Sequence, residues 1–379
     1  MKKKIAYLIK HVPAIQYMYV HVMSYVFKLL GCFLKIDEKL ILFSSYGGTR
    51  FSDSPKVLYE AIQQDMRFLG YRCVWAFEQP ENFIASGLDV VKIDTLSYFI
   101  TALRAKVWIT NVNMERGLHF KQKETIYLNT WHGTGPKKGG NAVEGRSDYD
   151  FSCVDILCID GTYMEYVMQK YFNAKKESFV WCGRPREDAL FQYTNKEIES
   201  IRHKLNLPSN KKIILYMPTW RDGAEVRKLN CNLWQKALSD YVILIRQHHF
   251  SEAHTGKNND IFLDVSDYPD VNDLYLVSDI LISDYSSAFF DFALLKKPII
   301  CYAYDYDEYE RSYGLFIDLK KEFPNGVIKS ESALIEFISS MDYANQCRVS
   351  ADFCNKYVQR SGNATEICLN KLYGLLRNK

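Results

Sequence analysis

The chain alternates between short runs rich in Val, Ile and Leu and longer segments with helical periodicity. The first series of apolar runs comprises KLILFSS, YRCVWAF, LDVVKID, KVWITNV, TIYLNTW, VDILCID and SFVWCG. After a polar helix predicted over residues 195–206, a second series comprises KIILYMPTW, YVILIRQ, DIFLDV, DILISDY and PIICYAY. Buried strands have this composition, and strands that alternate with helices favour parallel sheets. The pattern predicts an α/β protein with two Rossmann-like domains that face each other across a cleft.

The length of the chain also favours two domains, because 379 residues exceed what one hydrophobic core usually covers. We place the domains at residues 1–188 and 189–379. The second series of strands is the more regular, so we expect that domain to hold a nucleotide. The last segment, residues 351–378, has helical periodicity with a break at Gly362. We expect these terminal helices to pack back on the first domain.

The N-terminal segment is basic and then apolar, with a lysine-rich start followed by residues 12–34, which are rich in Val, Tyr, Met, Leu and Phe. A membrane span needs about 20 predominantly apolar residues, and here Gln16, His21 and Lys28 interrupt the run. A cleaved signal also fits poorly, because the apolar stretch is long and broken. Two interpretations remain: an amphipathic helix, about residues 1–36, lying on the inner membrane surface, or a helix packed on the protein's own surface.

The composition excludes several classes of protein. The net charge of +3 is too small to indicate a nucleic-acid partner. The ten cysteines are scattered and include no C-x-x-C pair, so we predict no metal site and no redox pair. A reduced, cytoplasmic setting is the simplest account of that usage. The aromatic content of 15% suits contacts with lipid or sugar, or simply a large aromatic core.

The run SDILISDYSSAFFDFALLKKP carries the strongest local mechanism for ligand binding. Asp284 follows a buried strand, and Ser286 and Ser287 open a helix, where free N–H groups and hydroxyls can hold a phosphate. The alternative is that Ser286 only caps the helix. Asp291 lies within an apolar helix, and we expect it to bond a neighbouring backbone group or an arginine. Among nucleotide-binding motifs, neither G-x-G-x-x-G nor GxxxxGK[ST] occurs in the chain.

A second polar cluster follows the strand TIYLNTW. His132 stands at the strand's end, just before Gly133 and Thr134, with Lys137 three residues further along. A histidine in this position can take a proton while a lysine balances phosphate charge. The alternative is a histidine that is simply a satisfied polar residue. In the second half, His248 follows the strand YVILIRQ in the same way, two residues after Arg246.

Three further arginines suggest forked contacts with phosphate. Arg184 and Arg186 lie in GRPRED, and Arg221 lies in PTWRD beside Thr219 and Trp220. Each of these arginines could equally be paired with an acidic neighbour in sequence. Those neighbours are Glu187, Asp188 and Asp222.

These motifs resemble those of the CDP-glycerol glycerophosphotransferase family, the teichoic-acid primases and polymerases of bacterial cell-wall synthesis. TWHGTGPKKGG is similar to the family's TWHGTPLKxxG, YMPTWRD to YAPTWRD, GRPRED to GxPRND and RQH to R-x-H. The run from DVNDLYLVSDILISDYSS to CYAYD resembles the family's block that includes DYSS, and SSYGGTRFSDSPKVLYEAI resembles its opening strand and helix. The resemblance covers roughly residues 40–335, in order.

The resemblance implies a GT-B fold, with an acceptor domain followed by a CDP-donor domain. It implies transfer of glycerol phosphate, or ribitol phosphate, from a CDP-alcohol to a hydroxyl of a lipid-linked, undecaprenyl-type acceptor at the inner membrane face, with release of CMP. No cofactor is implied, and a divalent ion is left open. His132 and His248 take the positions of the family's catalytic histidines. Ser286, Ser287, Asp284 and Arg221 take positions near the donor diphosphate.

The sequence departs from the family at Gly135-Pro136, where the family has PL, and in ERSYGLFIDL, which lacks the usual RGFY. The donor's alcohol and the final polymer, whether wall polymer, capsule or O-antigen, are therefore left open. Two other functions stay open as well. One is a GT-B glycosyltransferase that uses a nucleotide sugar, and the other is a non-catalytic scaffold bound to the membrane.

Overall fold

The computed structural model describes residues 13–219, 221, 229–247 and 261–378. Its strands form two separate parallel sheets. The first sheet contains β1 (Asp37–Ser44), β2 (Arg72–Phe77), β3 (Asp89–Lys92), β4 (Ala105–Thr110), β5 (Ile126–Asn129), β6 (Ile156–Ile159) and β7 (Phe179–Trp181). The second contains β8 (Lys212–Met217), β9 (Tyr241–Ile245), β10 (Phe262–Asp264), β11 (Ile280–Ser283) and β12 (Ile299–Cys301).

Helices connect most of the strands and continue after the last one. In the first half they are α1 (Pro13–Phe33), α2 (Asp53–Gln64), α3 (Glu81–Ile84), α4 (Leu96–Arg104) and α5 (Thr162–Phe172). Next come α6 (Asn195–Lys204), α7 (Cys231–Ala237), α8 (Val271–Val277), α9 (Ala288–Ala293), α10 (Tyr306–Tyr313) and α11 (Leu319–Glu322). The chain ends with α12 (Glu331–Ser340), α13 (Tyr343–Tyr357) and α14 (Ala364–Asn378). The two parallel sheets and the strand–helix alternation confirm the predicted α/β class.

Both sheets have the doubly wound strand order. The first reads β3-β2-β1-β4-β5-β6-β7, and the second reads β10-β9-β8-β11-β12. In each, the order reverses beside the first strand: β1 pairs with both β2 and β4, while β8 pairs with both β9 and β11. The register places Phe43 beside Ile109 in the first sheet and Tyr216 beside Ile282 in the second. A doubly wound sheet binds ligands outside the carboxyl ends of the strands at this reversal.

The strands lie in the protein interior because most of their side chains are apolar. All six residues of β4 are buried, as are all four of β5, β6 and β11, because helices cover both faces of each sheet. The boundary predicted at residue 188 falls between the sheets, in a short 3-10 turn (Pro185–Leu190), and stays a prediction.

The last two helices divide between the halves. Phe353 and Tyr357 of α13 join the core of the second sheet, whereas Cys368, Leu369 and Leu372 of α14 join the core of the first. The chain therefore crosses back to the first half at its end. The predicted break at Gly362 is confirmed: this glycine, with φ 91°, lies between the two helices.

Helix α1 packs on the first half along one face only. Phe27 is buried and stacks on Phe99, with ring centroids 4.1 Å apart, and Ser24 Oγ accepts a bond of 2.9 Å from the backbone N–H of His119. The opposite face exposes large apolar side chains, namely Tyr17, Met18, Val22, Tyr25, Val26, Leu29 and Phe33. Within the part of the chain that the structure describes, no helix is long and apolar enough to cross a membrane.

Candidate active site

The polar motifs of the two halves meet at the strand reversals of both sheets. In the first half, Tyr46, Asn111 and His132 follow β1, β4 and β5. In the second half, Arg221 and Asp284 follow β8 and β11. Because parallel strands end at a common edge, these side chains converge where open α/β sheets bind their ligands.

His132 is held in a defined orientation beneath this edge. Its Nδ1 lies 2.9 Å from the backbone carbonyl oxygen of Asn111, and its ring lies 4.1 Å from that of Trp131 and 5.8 Å from that of Tyr46. A carbonyl only accepts hydrogen bonds, so Nδ1 must carry the proton and Nε2 keeps its lone pair. Burial lowers the pKa of His132 below its ordinary 6.5, which favours the neutral ring at neutral pH. The ring is therefore arranged to accept a proton at Nε2.

The backbone around His132 adopts conformations that side chains normally avoid. Tyr46, Asp53 and Trp131 have φ values of 47°, 63° and 50°, in the left-handed region. Tyr46 N–H donates to Asn111 Oδ1 over 2.8 Å, and the Tyr46 hydroxyl donates to Asp53 Oδ2 over 2.5 Å. Such conformations persist only where surrounding contacts enforce them, and they cluster at functional sites.

Arg186 connects this region to the second half of the molecule. Its Nη1 donates to Asp53 Oδ2 over 2.8 Å and to the backbone oxygen of His132 over 3.0 Å, while Nη2 donates to Asp291 Oδ2 over 2.9 Å. Burial alone would raise the pKa of Asp53, but the Arg186 guanidinium and the Tyr46 hydroxyl bring it below its ordinary value. The predicted arginine partner of Asp291 is thereby confirmed.

Arg184 is also enclosed by carboxylates. Its Nε donates to Glu187 Oε1 over 2.6 Å, Nη2 lies 3.2 Å from Asp291 Oδ1, and Nη1 lies 2.8 Å from Asp160 Oδ2. Burial raises the pKa of Glu187 to about 8, against the attraction of Arg184. Arg184 is 1% exposed. Contact of Arg184 or Arg186 with a substrate stays a prediction, and the contacts present join the two halves.

Arg221 organises the edge of the second sheet. Its Nε and Nη2 form a forked pair with the two oxygens of Asp305, each over 2.9 Å, and Nη1 donates to Asp284 Oδ2 over 2.7 Å. Asp284 Oδ1 accepts from the N–H of Thr219 over 2.9 Å. The guanidinium also lies 5.3 Å from the ring centre of Tyr285. The described carboxylates that pair with Arg221 are those of Asp284 and Asp305, which follow β11 and β12. Asp222, the neighbour considered from the sequence, lies outside the described residues.

The glycine-rich loop after His132 rests directly on the turn of the two serines. A Cβ atom on Gly133, where φ is 129°, would lie 2.7 Å from Ser287 Oγ, and one on Gly135 would lie 3.0 Å from Ser287 N. Only glycine allows this approach. Ser286 Oγ accepts the N–H of Ala288 over 3.1 Å, so it makes a capping contact while remaining half-buried. The two motifs are thus in direct contact where the halves of the molecule meet.

Lys137 and Arg246 lie at the margins of this surface. The backbone beside Lys137 pairs with Leu315 of the second half, and the surrounding protein lowers the pKa of the Lys137 ammonium group while Asp284 opposes that shift. Arg246 Nη1 donates to the backbone oxygen of Tyr268 over 2.6 Å. Burial lowers the pKa of Arg246. Lys137 thus lies within electrostatic reach of Asp284 and Arg221, and Arg246 within reach of Arg50 and Tyr46 of the first half.

Three buried polar atoms in this region lack a partner within the described residues: Asn111 Nδ2, Thr134 Oγ1 and Thr219 Oγ1. A buried donor without a partner costs about 1 to 3 kcal/mol, and such atoms occur where a ligand or water completes the bonding. Each of these atoms follows a strand end or lies in the His132 loop. They are therefore candidates for contact with a bound substrate.

The structure places the following predicted residues where the strand ends of the two sheets meet: His132, Gly133, Thr134, Thr219, Arg221, Asp284, Ser286 and Ser287. Predicted roles in catalysis or substrate binding stay predictions for all of them. Trp220 and His248 lie outside the described residues. Sequence reasoning missed Tyr46, Asp53 and Asn111. Tyr46 and Asn111 follow strand ends, which was their only signal, whereas Asp53 is the first residue of α2.

Comparisons with known proteins agree with this geometry. Residues 26–372 match the family described as CDP-Glycerol:Poly(glycerophosphate) glycerophosphotransferase. A teichoic acid glycerol-phosphate transferase of Staphylococcus aureus is 35% identical, covering 83% of this chain and 87% of that protein. A teichoic acid poly(glycerol phosphate) polymerase of Bacillus spizizenii is 30% identical, covering 94% and 97%. A structure of the wall teichoic acid polymerase TagF soaked with CDPG superposes with a TM-score of 0.81, at 28% identity, covering 94% and 93%.

Proposed function

Because the chain belongs to the CDP-glycerol:poly(glycerophosphate) glycerophosphotransferase family, we propose that its cleft transfers glycerol phosphate from CDP-glycerol to a hydroxyl of a lipid-linked acceptor. The chain is a glycerol-phosphate transferase of teichoic acid synthesis. In the proposed reaction the donor releases CMP. The observation that carries the proposal is the orientation of His132, whose Nδ1 is fixed by a carbonyl and whose Nε2 is left as a base.

In the proposed reaction, the acceptor oxygen attacks the donor's β-phosphorus in line with the departing CMP. A new P–O bond forms to the acceptor, and the bond from the β-phosphorus to the bridging oxygen breaks, leaving that oxygen and its electron pair on CMP. His132 Nε2 takes the hydroxyl proton. Transfer of this kind depends on positioning and on stabilisation of charge. General-base assistance typically contributes about 10²–10⁴-fold.

Residues of both halves supply the donor side of this proposal. Thr134 and Thr219 offer hydroxyls that have no partner among the described residues, and Ser287 lies against the His132 loop. Those hydroxyls can donate to oxygens of the diphosphate, and Lys137 adds a positive charge nearby. The Arg221 guanidinium is already paired with the carboxylates of Asp305 and Asp284. In this proposal it therefore orders the turn that faces the donor diphosphate and does not neutralise the diphosphate charge alone. His248 keeps its predicted role at the diphosphate.

We propose that the exposed face of α1 rests on the inner membrane surface, where the lipid-linked acceptor is found. Tyr25 is 69% exposed and Phe33 is 80% exposed, although the same helix buries Phe27 against the protein. A helix with this division binds at the headgroup boundary by burying its apolar face. Peripheral attachment of this kind would bring the cleft to its substrate without a spanning segment.

The transfer is tested with purified protein, vesicles that carry a lipid-linked acceptor, and CDP-glycerol, CDP-ribitol or nucleotide sugars as donors. We expect CMP release and a mass increase of one glycerol phosphate per acceptor with CDP-glycerol. Turnover of a nucleotide sugar in place of CDP-glycerol, or no turnover of any donor, would contradict the proposal.

Membrane attachment is tested separately by flotation with anionic vesicles. Tyr25→Glu and Phe33→Glu should each lower the bound fraction, because each places a charge where the apolar face meets lipid. Leu69→Glu is the matched control, since Leu69 is 70% exposed but lies outside α1. Equal binding by all three variants would contradict the role of α1 while leaving the transfer proposal intact.

A further inference from the structure

Three cysteine side chains meet between the first sheet and the C-terminal helix. Cys158 lies in β6, Cys182 directly follows β7, and Cys368 lies in α14. The register pairs Cys158 with Val180, so Cys182, two residues further along, points to the same face of the sheet. Helix α14 covers that face, and all three thiols are at most 2% exposed.

The spacing of the sulfurs matches that of ligands around one ion. Cys158 Sγ and Cys368 Sγ are 3.2 Å apart, Cys182 Sγ and Cys368 Sγ are 3.8 Å apart, and all three lie within 4.8 Å of one another. Three sulfurs that each lie about 2.3 Å from a metal are separated by about 3.8 Å in a tetrahedral site and about 4.0 Å in a trigonal plane. Side-chain shifts of less than about 1 Å would therefore complete either arrangement.

The surroundings decide which kind of ion suits the site. Within the described residues, the group able to hold a metal here contains only the three thiols. The carboxylate of Asp188, which acts electrostatically on Cys368, accepts the N–H groups of Ala364 and Thr365. Thiolates select soft ions such as Cu(I) and Zn(II), and structural zinc is almost always bound by four ligands. A buried site in which the described residues supply three sulfurs and no fourth ligand favours Cu(I).

We propose that Cys158, Cys182 and Cys368 bind one Cu(I) ion, which fastens the C-terminal helix to the first sheet. Each thiol that binds as a thiolate releases its proton to solvent, and no electron is exchanged. The hydrogen bond with Cys182 and the Arg184 guanidinium lower the pKa of Cys158, but the hydrogen bond with Cys368 and burial raise it well above its ordinary value, so the ion binds by displacing the thiol proton. The ion stabilises the folded chain, because the unfolded chain does not bring these three sulfurs together.

The test uses the reduced, full-length protein under anaerobic conditions, with Cu(I) supplied in the presence of bathocuproine disulfonate so that the other thiols do not retain it. We expect one copper per chain, three sulfur ligands by X-ray absorption spectroscopy, and a rise in Tm. At free Cu(I) about 100 times Kd, the unfolding equilibrium constant should fall about 100-fold. Glycerol phosphate transfer is measured in parallel and should be unchanged.

Cys158→Ala and Cys368→Ala should each abolish the stoichiometric copper. The matched control is Cys301→Ala, which also removes a buried thiol but in the second sheet, and it should retain one copper. Spectroscopy on the unsubstituted protein does not depend on whether the variants fold. Copper that is absent, bound by two sulfurs, or retained equally by Cys368→Ala would overturn the proposal, as would a Cys158–Cys368 disulfide forming in preference to copper binding.

Discussion

His132→Gln is the substitution that isolates the proposed general base. A glutamine side chain keeps an N–H donor for the carbonyl of Asn111, which His132 Nδ1 contacts over 2.9 Å, but it offers no basic nitrogen. If the base contributes about 10²–10⁴-fold, kcat should fall by that factor, which corresponds to about 3 to 5 kcal/mol of barrier. Binding of CDP-glycerol should change little, because the proton moves only during the transfer.

The pH dependence gives a second, independent readout. Burial lowers the pKa of His132 below 6.5, so the wild-type rate should rise with pH through a midpoint below that value and then level off. The neutral ring is the active form, so activity is lost as pH falls. Between the folded and unfolded pKa values the unfolded chain binds more protons, and the free energy of unfolding therefore also falls with decreasing pH. His132→Gln should remove both dependences.

The assay is release of CMP from CDP-glycerol in single-turnover mode, with donor affinity measured by calorimetry. His203→Gln is the matched control, because His203 lies exposed on α6 and should leave rate and profile unchanged. A His132→Gln enzyme that turns over within about 3-fold of wild type, or that keeps the same acidic midpoint, would refute the assignment of the base.

Three more substitutions test the surrounding structure. Arg221→Lys should lower both the affinity for the donor and the denaturation midpoint. Lysine cannot form the forked pair and leaves Asp284 less well bonded, which should lower the free energy of unfolding by about 1 to 3 kcal/mol. An unchanged KM for CDP-glycerol would contradict this. Gly133→Ala should lower the transfer rate, since its Cβ would lie 2.7 Å from Ser287 Oγ, while circular dichroism stays native; a fully active variant would exclude the tight contact. Asp188→Ala should destabilise the C-terminal helix by about 0.5 to 2 kcal/mol in urea denaturation, because it removes two bonds of 2.8 Å at the start of that helix; equal midpoints would show that the cap is dispensable.

The elements that depend on local pattern were predictable from the sequence. The runs that became β6 and β11 contain no charged residue, and every position in both strands is buried, so pattern and burial agree. The break between the last two helices was predictable because Gly362 tolerates a φ of 91°. The position of His132 followed from the strand before it. These features are encoded within a few residues of where they occur.

The partners of the charged residues were not predictable, because they lie far away along the chain. Arg186 pairs with Asp53 and Asp291, which are 133 and 105 residues away. A guanidinium forms forked hydrogen bonds equally well with a phosphate or a carboxylate, and the sequence motif does not indicate which of the two the arginine binds. The spacing of the cysteines was uninformative for the same reason, since Cys158 and Cys368 are separated by 210 residues.

The return of α14 to the first sheet has a consequence for how the protein is made. The face of that sheet that carries Cys158 and Cys182 stays uncovered until Cys368 and its neighbours have been synthesised. At about 5 to 20 residues per second, the roughly 180 residues after β7 take about 10 to 40 s to emerge from the ribosome. During that interval the nascent chain presents an open apolar face, so we expect its first half to rely on chaperones until α14 has been synthesised.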